Sequence, residues 1–194
     1  SDVYKRQGTG KTDLLLALQQ RGVAVVDLEG LAHHRGSSFG GLGLPPQPST
    51  EHYENRLAEC LDQHRQSRAE AIWLEAESIQ VGRCRIPKAL FDQMQNAPVL
   101  EIQRSLNERV DQLVGVYGHQ GMDALAEATR RISRRLGPQR TTQALNAIAE
   151  GDWATACRAT LDYYDRCYDN DLERSPQRRS VDISGLSIEQ AADH

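Results

Sequence analysis

The stretch GTGKT at 8–12 opens an apolar helix, and it constrains the fold more than any other part of the chain. It matches the end of a phosphate-binding loop, G-x-x-x-x-G-K-[ST], whose backbone amides hold phosphate at a helix N-terminus. Such a loop follows a buried strand, but the head SDVYKRQ at 1–7 is charged, and Lys5 replaces the first glycine. We therefore predict a phosphate-binding loop that lacks its first strand, behind a foreign head.

The residues after the loop alternate between helical and strand patterns. Short apolar, β-branched runs predict strands at 23–29, 71–78, 97–103 and 180–185. Helical spacing predicts helices at 12–20, 50–65, 87–94, 108–117, 122–136, 141–149 and 152–168, and after 187. Thr50, Asn107 and Ser187 are the expected N-caps. This alternation predicts a P-loop NTPase-like, three-layer α/β/α fold with a mostly parallel sheet and a helical C-terminal region.

The predicted domain covers residues 8–194 and is truncated at both ends. Its α/β part comprises 8–106 and 180–194, and its helical part comprises 107–179. A stretch rich in Gly, Ser and Pro at 30–49 is long for a connector inside a compact domain. We interpret it as a functional loop.

The residues of the phosphate loop have distinct predicted roles. The amides of Gly8, Thr9 and Gly10 would form a nest for a di- or triphosphate. Lys11 would reach a terminal phosphate oxygen, and the Thr12 hydroxyl would bind Mg²⁺, as in a Walker A loop. The alternative is a glycine-rich helix start with a solvated lysine.

Acidic residues stand near the ends of two predicted strands: Asp27, Glu29, Glu75 and Glu77. In an open α/β sheet this edge faces the ligand crevice. Asp27 and Glu75 are therefore candidate ligands for Mg²⁺, together with Thr12. The alternative is that these acids only cap neighbouring helix N-termini.

The segment HHRGSSFGG at 33–41 combines a cation, hydroxyls and glycines, which is typical of a lid or anion clamp. Arg35 would form bidentate hydrogen bonds to phosphate and Ser37 would add another. His34 is a candidate general acid/base, so the predicted catalytic residues are His34, Arg35 and Glu75. Arg104 and Arg109, past the third strand, are expected to reach back to the phosphate. The alternative for 33–41 is a disordered surface loop.

The net charge of −4 restricts any nucleic-acid contact to a local patch. RRISRRLGPQR at 130–140 contains five arginines and no acid. Four of them, Arg130, Arg131, Arg134 and Arg135, recur on one helical face and are predicted to contact an RNA backbone. The alternative is a solvated face paired with Asp123 and Glu127.

Taken together, GTGKTDLL, PQPS, WLEAES, RLG, LDYYDRCY and above all DLEGLAHHRGSSFG at 27–40 resemble the C-terminal P-loop domain of the bacterial tRNA 2-selenouridine synthases. The resemblance runs from about Gly8 to the end of the chain. It implies conversion of wobble 2-thiouridine to 2-selenouridine through an S-geranylated intermediate. The implied substrates are geranyl diphosphate and selenophosphate, the implied partner is the tRNA anticodon arm, and Mg²⁺ is the expected cofactor.

The chain also departs from that family. Members carry an N-terminal rhodanese-like domain whose loop cysteine handles selenium, and this sequence lacks it. None of the four cysteines, Cys60, Cys84, Cys157 and Cys167, is therefore assigned that role, and they form no C-x-x-C pair. We expect the fragment to be inactive alone.

Two other functions fit the same residues. One is a small-molecule kinase or NTPase that uses Mg-ATP at Lys11 and Thr12, and the other is an RNA-binding module with a relic P-loop. The sequence has no apolar run of roughly 18 residues and no signal-peptide core, so we expect a cytoplasmic protein without membrane contact.

Overall fold

The computed structural model describes residues 2–4, 7–172 and 177–194, apart from the side chains of 2–4 and 166–172. Within that part, five parallel strands form a sheet in the order β2-β3-β1-β6-β7, and β4 and β5 form a separate antiparallel hairpin. The strands are β1 (Asp2–Tyr4), β2 (Val25–Val26), β3 (Trp73–Glu75), β4 (Gln80–Val81), β5 (Cys84–Arg85), β6 (Val99–Gln103) and β7 (Arg178–Asp182).

The prediction that the first strand is missing is wrong. Asp2–Tyr4 is the central strand, with Val3 opposite Glu75 of β3 and Leu100 of β6. The prediction relied on apolar side chains. Strands pair through backbone hydrogen bonds, and β3 and β6 provide backbone partners for β1 on both of its sides. Lys5, the residue in place of the first glycine, lies outside the described residues.

The helices cover both faces of this sheet and continue into a helical region between β6 and β7. They are α1 (Lys11–Gln20), α2 (Leu28–Ala32), α3 (Thr50–Gln66), α4 (Lys88–Asn96), α5 (Leu106–Tyr117), α6 (Met122–Arg131), α7 (Ser133–Leu136), α8 (Pro138–Glu150), α9 (Trp153–Leu172) and α10 (Ile188–Asp193). Among the helices of the described residues, none has the length and apolarity needed to cross a membrane.

Adjacent residues of β2 show why the fold has three layers. Val25 packs in a cluster with Leu14 of α1, and Val26 packs in a different cluster with Tyr53 of α3. Successive strand side chains point to opposite faces, so both faces of the sheet are buried. The predicted three-layer α/β/α fold is confirmed.

Two predicted N-caps are wrong by one or two residues. The hydroxyl of Ser49, not Thr50, accepts a hydrogen bond from the amide of His52. The hydroxyl of Ser105, not Asn107, does the same for the start of α5. Each serine has extended backbone outside the helix, which leaves its oxygen free to reach an unpaired first-turn amide. The predicted cap at Ser187 is confirmed, as part of a capping box.

Other boundaries also differ from the sequence prediction. The predicted strand at 23–29 ends at Val26, and α2 begins two residues later. The predicted helix at 122–136 divides at Ile132 into α6 and α7. The β4–β5 hairpin was not predicted, because its strands have only two residues each. The predicted helical part extends to 179, but α9 ends at 172 and β7 begins at Arg178.

The cap of α3 provides a test of the fold. We expect Ser49→Ala to lower the free energy of unfolding by about 1 kcal/mol, because a first-turn amide loses its acceptor. The neighbouring change Thr50→Ala should cost less than about 0.5 kcal/mol, the usual limit for a surface substitution. Denaturant unfolding of both variants measures the difference. A larger loss for Thr50→Ala would return the cap to the residue that the sequence favours.

Candidate functional site

The phosphate loop lies between the central strand and α1. Gly8 and Gly10 both have φ of +76°, in the left-handed region that glycine adopts without strain. Gly10 is the N-cap of α1, and no side chain caps that helix. Left-handed turns that lead into a helix N-terminus form anion-binding concavities. The backbone geometry therefore fits the predicted phosphate loop.

Lys11 is buried among carboxylates. Its Nζ lies 2.8 Å from Oε1 of Glu29 and 3.9 Å from Oε1 of Glu77, and 11% of its side chain is exposed. Burial lowers the pKa of Lys11, but the negative charges of Glu29, Glu77 and Glu75 outweigh it, so the pKa is raised. The ammonium group is thus protonated at neutral pH, and Glu29 occupies the place next to it that a phosphate oxygen would take.

Thr12 connects the loop to the sheet. Its Oγ1 donates towards Oε2 of Glu29 at 3.2 Å and Oε1 of Glu75 at 3.3 Å. Burial raises the pKa of Glu75 to about 8, a rise to which the neighbouring acids add and which Lys11 opposes. Burial therefore favours the neutral form of Glu75, and a further cation beside it would favour the ionised form.

The strand-end acids also cap α2. Oε2 of Glu75 accepts a hydrogen bond of 2.7 Å from the amide of Leu28, and Oδ1 of Asp27 accepts one of 2.7 Å from Gly30. The alternative capping role is thus present for Asp27 and Glu75. Glu29 does not end a strand, because it lies within α2. The sequence placed the acids at the right edge but gave Glu29 the wrong element.

The predicted metal site has suitable oxygen donors. Mg²⁺ is usually held by one or two carboxylates, with waters and phosphate oxygens completing its shell. The Thr12 hydroxyl and the Glu75 and Glu29 carboxylates meet in that way, and Asp27 lines the same cleft. Within 7–172 and 177–194, no group of three or more His, Cys, Asp and Glu residues forms a metal site. The protein oxygens alone do not complete a metal shell, so the donor chemistry fits Mg²⁺ only if waters and a phosphate ligand supply the remaining positions.

A cleft of about 380 Å³ opens over the loop. Residues of four segments line it: 7–13 of the loop and the start of α1; Asp27, Glu29 and Gly30 at the start of α2; His33, Arg35, Ser37 and Leu44 of the following segment; and Gln112, Leu113, Val116 and Tyr117 of α5. The sequence predicted the first three segments. It missed four residues of α5, Gln112, Leu113, Val116 and Tyr117. The apolar residues among them have the helical spacing of an ordinary buried helix face, which does not indicate a binding site.

The segment 33–41 packs against the helical region. Arg35 donates from Nη1 to the Leu42 carbonyl at 3.0 Å, and its guanidinium lies 5.6 Å from the centre of the Tyr117 ring. The Ser38 hydroxyl donates to the Ala128 carbonyl of α6 at 3.0 Å. Phe39 packs against the buried clusters of α6–α9. The alternative of a disordered loop is therefore wrong.

The two histidines of this segment differ in position. Nδ1 of His34 accepts a hydrogen bond from the amide of Gly36 at 3.1 Å, so its ring is used within its own turn. His33, which was not predicted, lines the cleft and has Nδ1 3.0 Å from the Pro46 carbonyl. His34 is not among the cleft-lining residues. Its catalytic role stays a prediction.

Arg104 and Arg109 have different surroundings. Arg104 donates from Nη2 to the Leu186 carbonyl at 3.3 Å and does not line the cleft. Arg109 is buried, and its side chain contacts the backbone of the loop, because Nε donates to the Gln7 carbonyl at 2.7 Å. The structure does not bring Arg104 to the phosphate loop. Arg109 reaches the loop from behind.

The arginine-rich stretch is solvent-exposed. Arg130 and Arg131 end α6, and Arg134 and Arg135 lie on α7. Residues 130, 131, 134 and 135 are all exposed, and within the described chain none has an ion pair, with Asp123, Glu127 or any other acid. A fifth arginine, Arg140, pairs with Asp162 at 2.7 Å. These four arginines are thus solvated, as the alternative has it, but not paired within the described chain. The prediction that they recur on one helical face is wrong, because the helix divides at Ile132.

The fold and the loop define a class of protein. A parallel sheet whose central strand leads through a glycine loop into α1, with Lys11 and Thr12 at the start of that helix, is a P-loop domain. A family model described as "tRNA 2-selenouridine synthase AAA domain" matches residues 3–192. The chain belongs to this family, which confirms the resemblance seen in the sequence.

Curated relatives support the same assignment. A tRNA 2-selenouridine synthase of Shewanella halifaxensis is 36% identical over 200 residues, covering 88% of this chain and 53% of that protein. One of Marinobacter nauticus is 35% identical over 196 residues, covering 86% and 52%. The chain thus spans about half the length of the curated relatives that it matches. Their name makes tRNA modification the activity of the family.

A solved structure, TT1252 from Thermus thermophilus, is also similar. It is 15% identical, covers 99% of this chain and 93% of its own, and has a TM-score of 0.41. So distant a likeness adds nothing to the site.

Gly8 allows a test of the loop. A Cβ at Gly8 would lie 2.5 Å from the Arg109 carbonyl oxygen, whereas one at Gly22, with φ of +87°, would meet nothing within 4 Å. Each change to alanine should cost about 1–2 kcal/mol for the left-handed backbone. We expect Gly8→Ala to cost about 1–3 kcal/mol more, as overpacking does. Denaturant unfolding measures both, and equal losses would contradict the packing described here.

Proposed function

We propose that this chain is the diphosphate- and tRNA-binding domain of an enzyme that converts wobble 2-thiouridine to 2-selenouridine. The diphosphate group of geranyl diphosphate binds at the phosphate loop, and the prenyl group is transferred to sulfur to give the S-geranylated intermediate. Selenophosphate then supplies selenium. The observation that carries the proposal is that Lys11, Arg35, Ser37 and the loop glycines line one cleft in a chain of this family.

The cleft suits diphosphate as a leaving group. When the carbon–oxygen bond breaks, negative charge develops on diphosphate oxygens, and fixed cations beside those oxygens stabilise the transition state. Lys11 exchanges Glu29 for a phosphate oxygen, and Arg35 and Ser37, which line the same cleft, add further hydrogen bonds to the diphosphate. Mg²⁺, held by Thr12 and Glu75 with Asp27 nearby, would supply Lewis-acid stabilisation of the same charge. This chemistry needs no ATP.

The rest of the enzyme completes the reaction. We propose that a rhodanese-like domain of the same polypeptide carries the selenium-transfer cysteine, and that the work takes place in the cytoplasm, where tRNA is modified. The exposed arginines of α6 and α7 would hold the anticodon arm. Support comes from the lack of ion pairs at these arginines within the described chain, which leaves their charge available to phosphate.

An ATP-dependent kinase or NTPase uses the same Lys11 and Thr12, and calorimetric titration of this chain separates the two functions. We expect geranyl diphosphate to bind in the presence of Mg²⁺ more tightly than Mg-ATP. Tight Mg-ATP binding, with hydrolysis and no response to geranyl diphosphate, would replace the proposal by the kinase. If neither ligand bound, the RNA-binding module with a relic loop would be favoured.

Lys11→Ala tests the phosphate site. We expect geranyl diphosphate to bind about 10- to 100-fold more weakly, since a charged hydrogen bond contributes about 1.5–3 kcal/mol. Lys88→Ala is the matched control, because Lys88 is exposed on α4 and its ion pair is with Asp92 of the same helix. Equal affinity in Lys11→Ala and Lys88→Ala would exclude the phosphate role of Lys11.

The four exposed arginines of α6 and α7, called the arginine face below, are Arg130, Arg131, Arg134 and Arg135. Their predicted contact with RNA has its own test. In Arg134→Glu/Arg135→Glu we expect tRNA to bind at least about tenfold more weakly, with the slope of log K against log salt reduced by about 1.4 to 1.8, as two lost phosphate contacts require. Arg65→Glu/Arg68→Glu, at the exposed end of α3, makes the same charge change elsewhere. Filter binding over a salt series measures both. The same loss in both variants would show a general charge effect rather than a binding face.

A further inference from the structure

The contact between Arg109 and the loop involves a third residue, Asp165 of α9. Nη1 of Arg109 donates to Oδ2 of Asp165 at 3.0 Å, and Nη2 donates to Oδ1 at 2.6 Å. Only 5% of the Arg109 side chain and 24% of the Asp165 side chain are exposed. A bidentate pair fixes the plane of a guanidinium group, which a single contact does not. In that plane, Nε–H donates to the Gln7 carbonyl.

The backbone of Arg109 touches the loop as well. Its carbonyl group lies so close to Gly8 that a Cβ there would be 2.5 Å from the oxygen. The side chain therefore holds Gln7 and the main chain abuts Gly8, two consecutive residues at the start of the loop. Gln7 and Gly8 line the cleft, whereas Arg109 is not among the lining residues.

The residue before Asp165 contacts the other phosphate-binding segment. The hydroxyl oxygen of Tyr164 accepts a hydrogen bond of 3.3 Å from the amide of Ser38, next to Ser37. Two consecutive residues of α9 thus connect to cleft-lining segments, Tyr164 directly to Ser38 and Asp165 through Arg109 to Gln7. The same helix packs against α7, which carries Arg134 and Arg135.

We propose that Arg109, oriented by Asp165, is a positioning residue that fixes the start of the phosphate loop for anion binding. The inference rests on the proposed function, because it takes the loop to bind diphosphate. Arg109 itself stays behind the loop and acts through the Gln7 carbonyl. α9 thereby sets the position of the loop relative to the arginine face.

Asp165→Asn tests the proposal, and Asp162→Asn is its matched control. Asp162 lies three residues earlier on α9 and pairs with Arg140 instead, away from the loop. Both changes remove one charge from an ion pair of the same helix. If the Arg109 pair only stabilised the fold, the two variants would differ in the free energy of unfolding and in nothing at the loop.

Two readouts at the loop separate these outcomes. In the free 194-residue chain, NMR order parameters of the Gly8 and Gly10 amides should fall from about 0.85, typical of rigid backbone, to below about 0.6 in Asp165→Asn. Inorganic diphosphate with Mg²⁺ should bind about tenfold more weakly to that variant by calorimetry. Asp162→Asn should match the parent in both.

Unchanged order parameters in folded Asp165→Asn, or the same fall in both variants, would overturn the inference. If the parent chain bound no diphosphate, the proposed function would fail, while the order parameters would still decide the role of Arg109. Should Asp165→Asn not fold, Arg109→Lys keeps the charge but loses the bidentate geometry. A rigid loop in that variant would also overturn the inference.

Discussion

The site depends on the buried ion pair between Lys11 and Glu29. An ammonium group removed from water is costly unless opposite charge compensates it, and here one carboxylate lies 2.8 Å away with Glu77 behind it. The pair joins the start of α1 to α2 and so holds together two segments that both line the cleft. In the proposed function it also sets the condition for binding, since an incoming phosphate would have to compete with Glu29 for the same ammonium group. A dianionic ligand with a divalent cation meets that condition better than a single charge does.

The helical region takes part in building the site. Tyr117 of α5 lies under the guanidinium of Arg35, and Phe39 inserts into the apolar clusters of α6–α9. The segment that the sequence suggests as a lid is thus held by packing on the helices. One helix, α9, therefore contacts both the segment 33–41 and α7, which carries Arg134 and Arg135.

Many of the helices and the family could be predicted from the sequence, because the residue patterns that indicate them lie within short segments of the chain. The apolar spacing after Lys11 predicted α1 to within one residue, and Ser187 marked the start of α10. The family resemblance depended on a short motif and needed no structure. Local signals failed where two neighbouring residues could do the same job, as at Ser49 and Thr50. They failed again where a strand was defined by its neighbours, as for Asp2–Tyr4.

The sequence by itself determined the P-loop class and the family, and it located the loop, the acidic edge and the arginine stretch on which the proposed function rests. The loop and the arginine stretch each lie within one short stretch of chain, and the acidic edge comes from two short strand ends, so glycine conformation, side-chain charge and local periodicity suffice. Only the tertiary structure decided that Glu29 neutralises Lys11, that Glu75 caps α2, and that Asp165 aligns Arg109 beneath the loop. The partners in these contacts are 18 to 56 positions apart. Their pairing follows from how the helices pack on the sheet, which no local pattern of residues records.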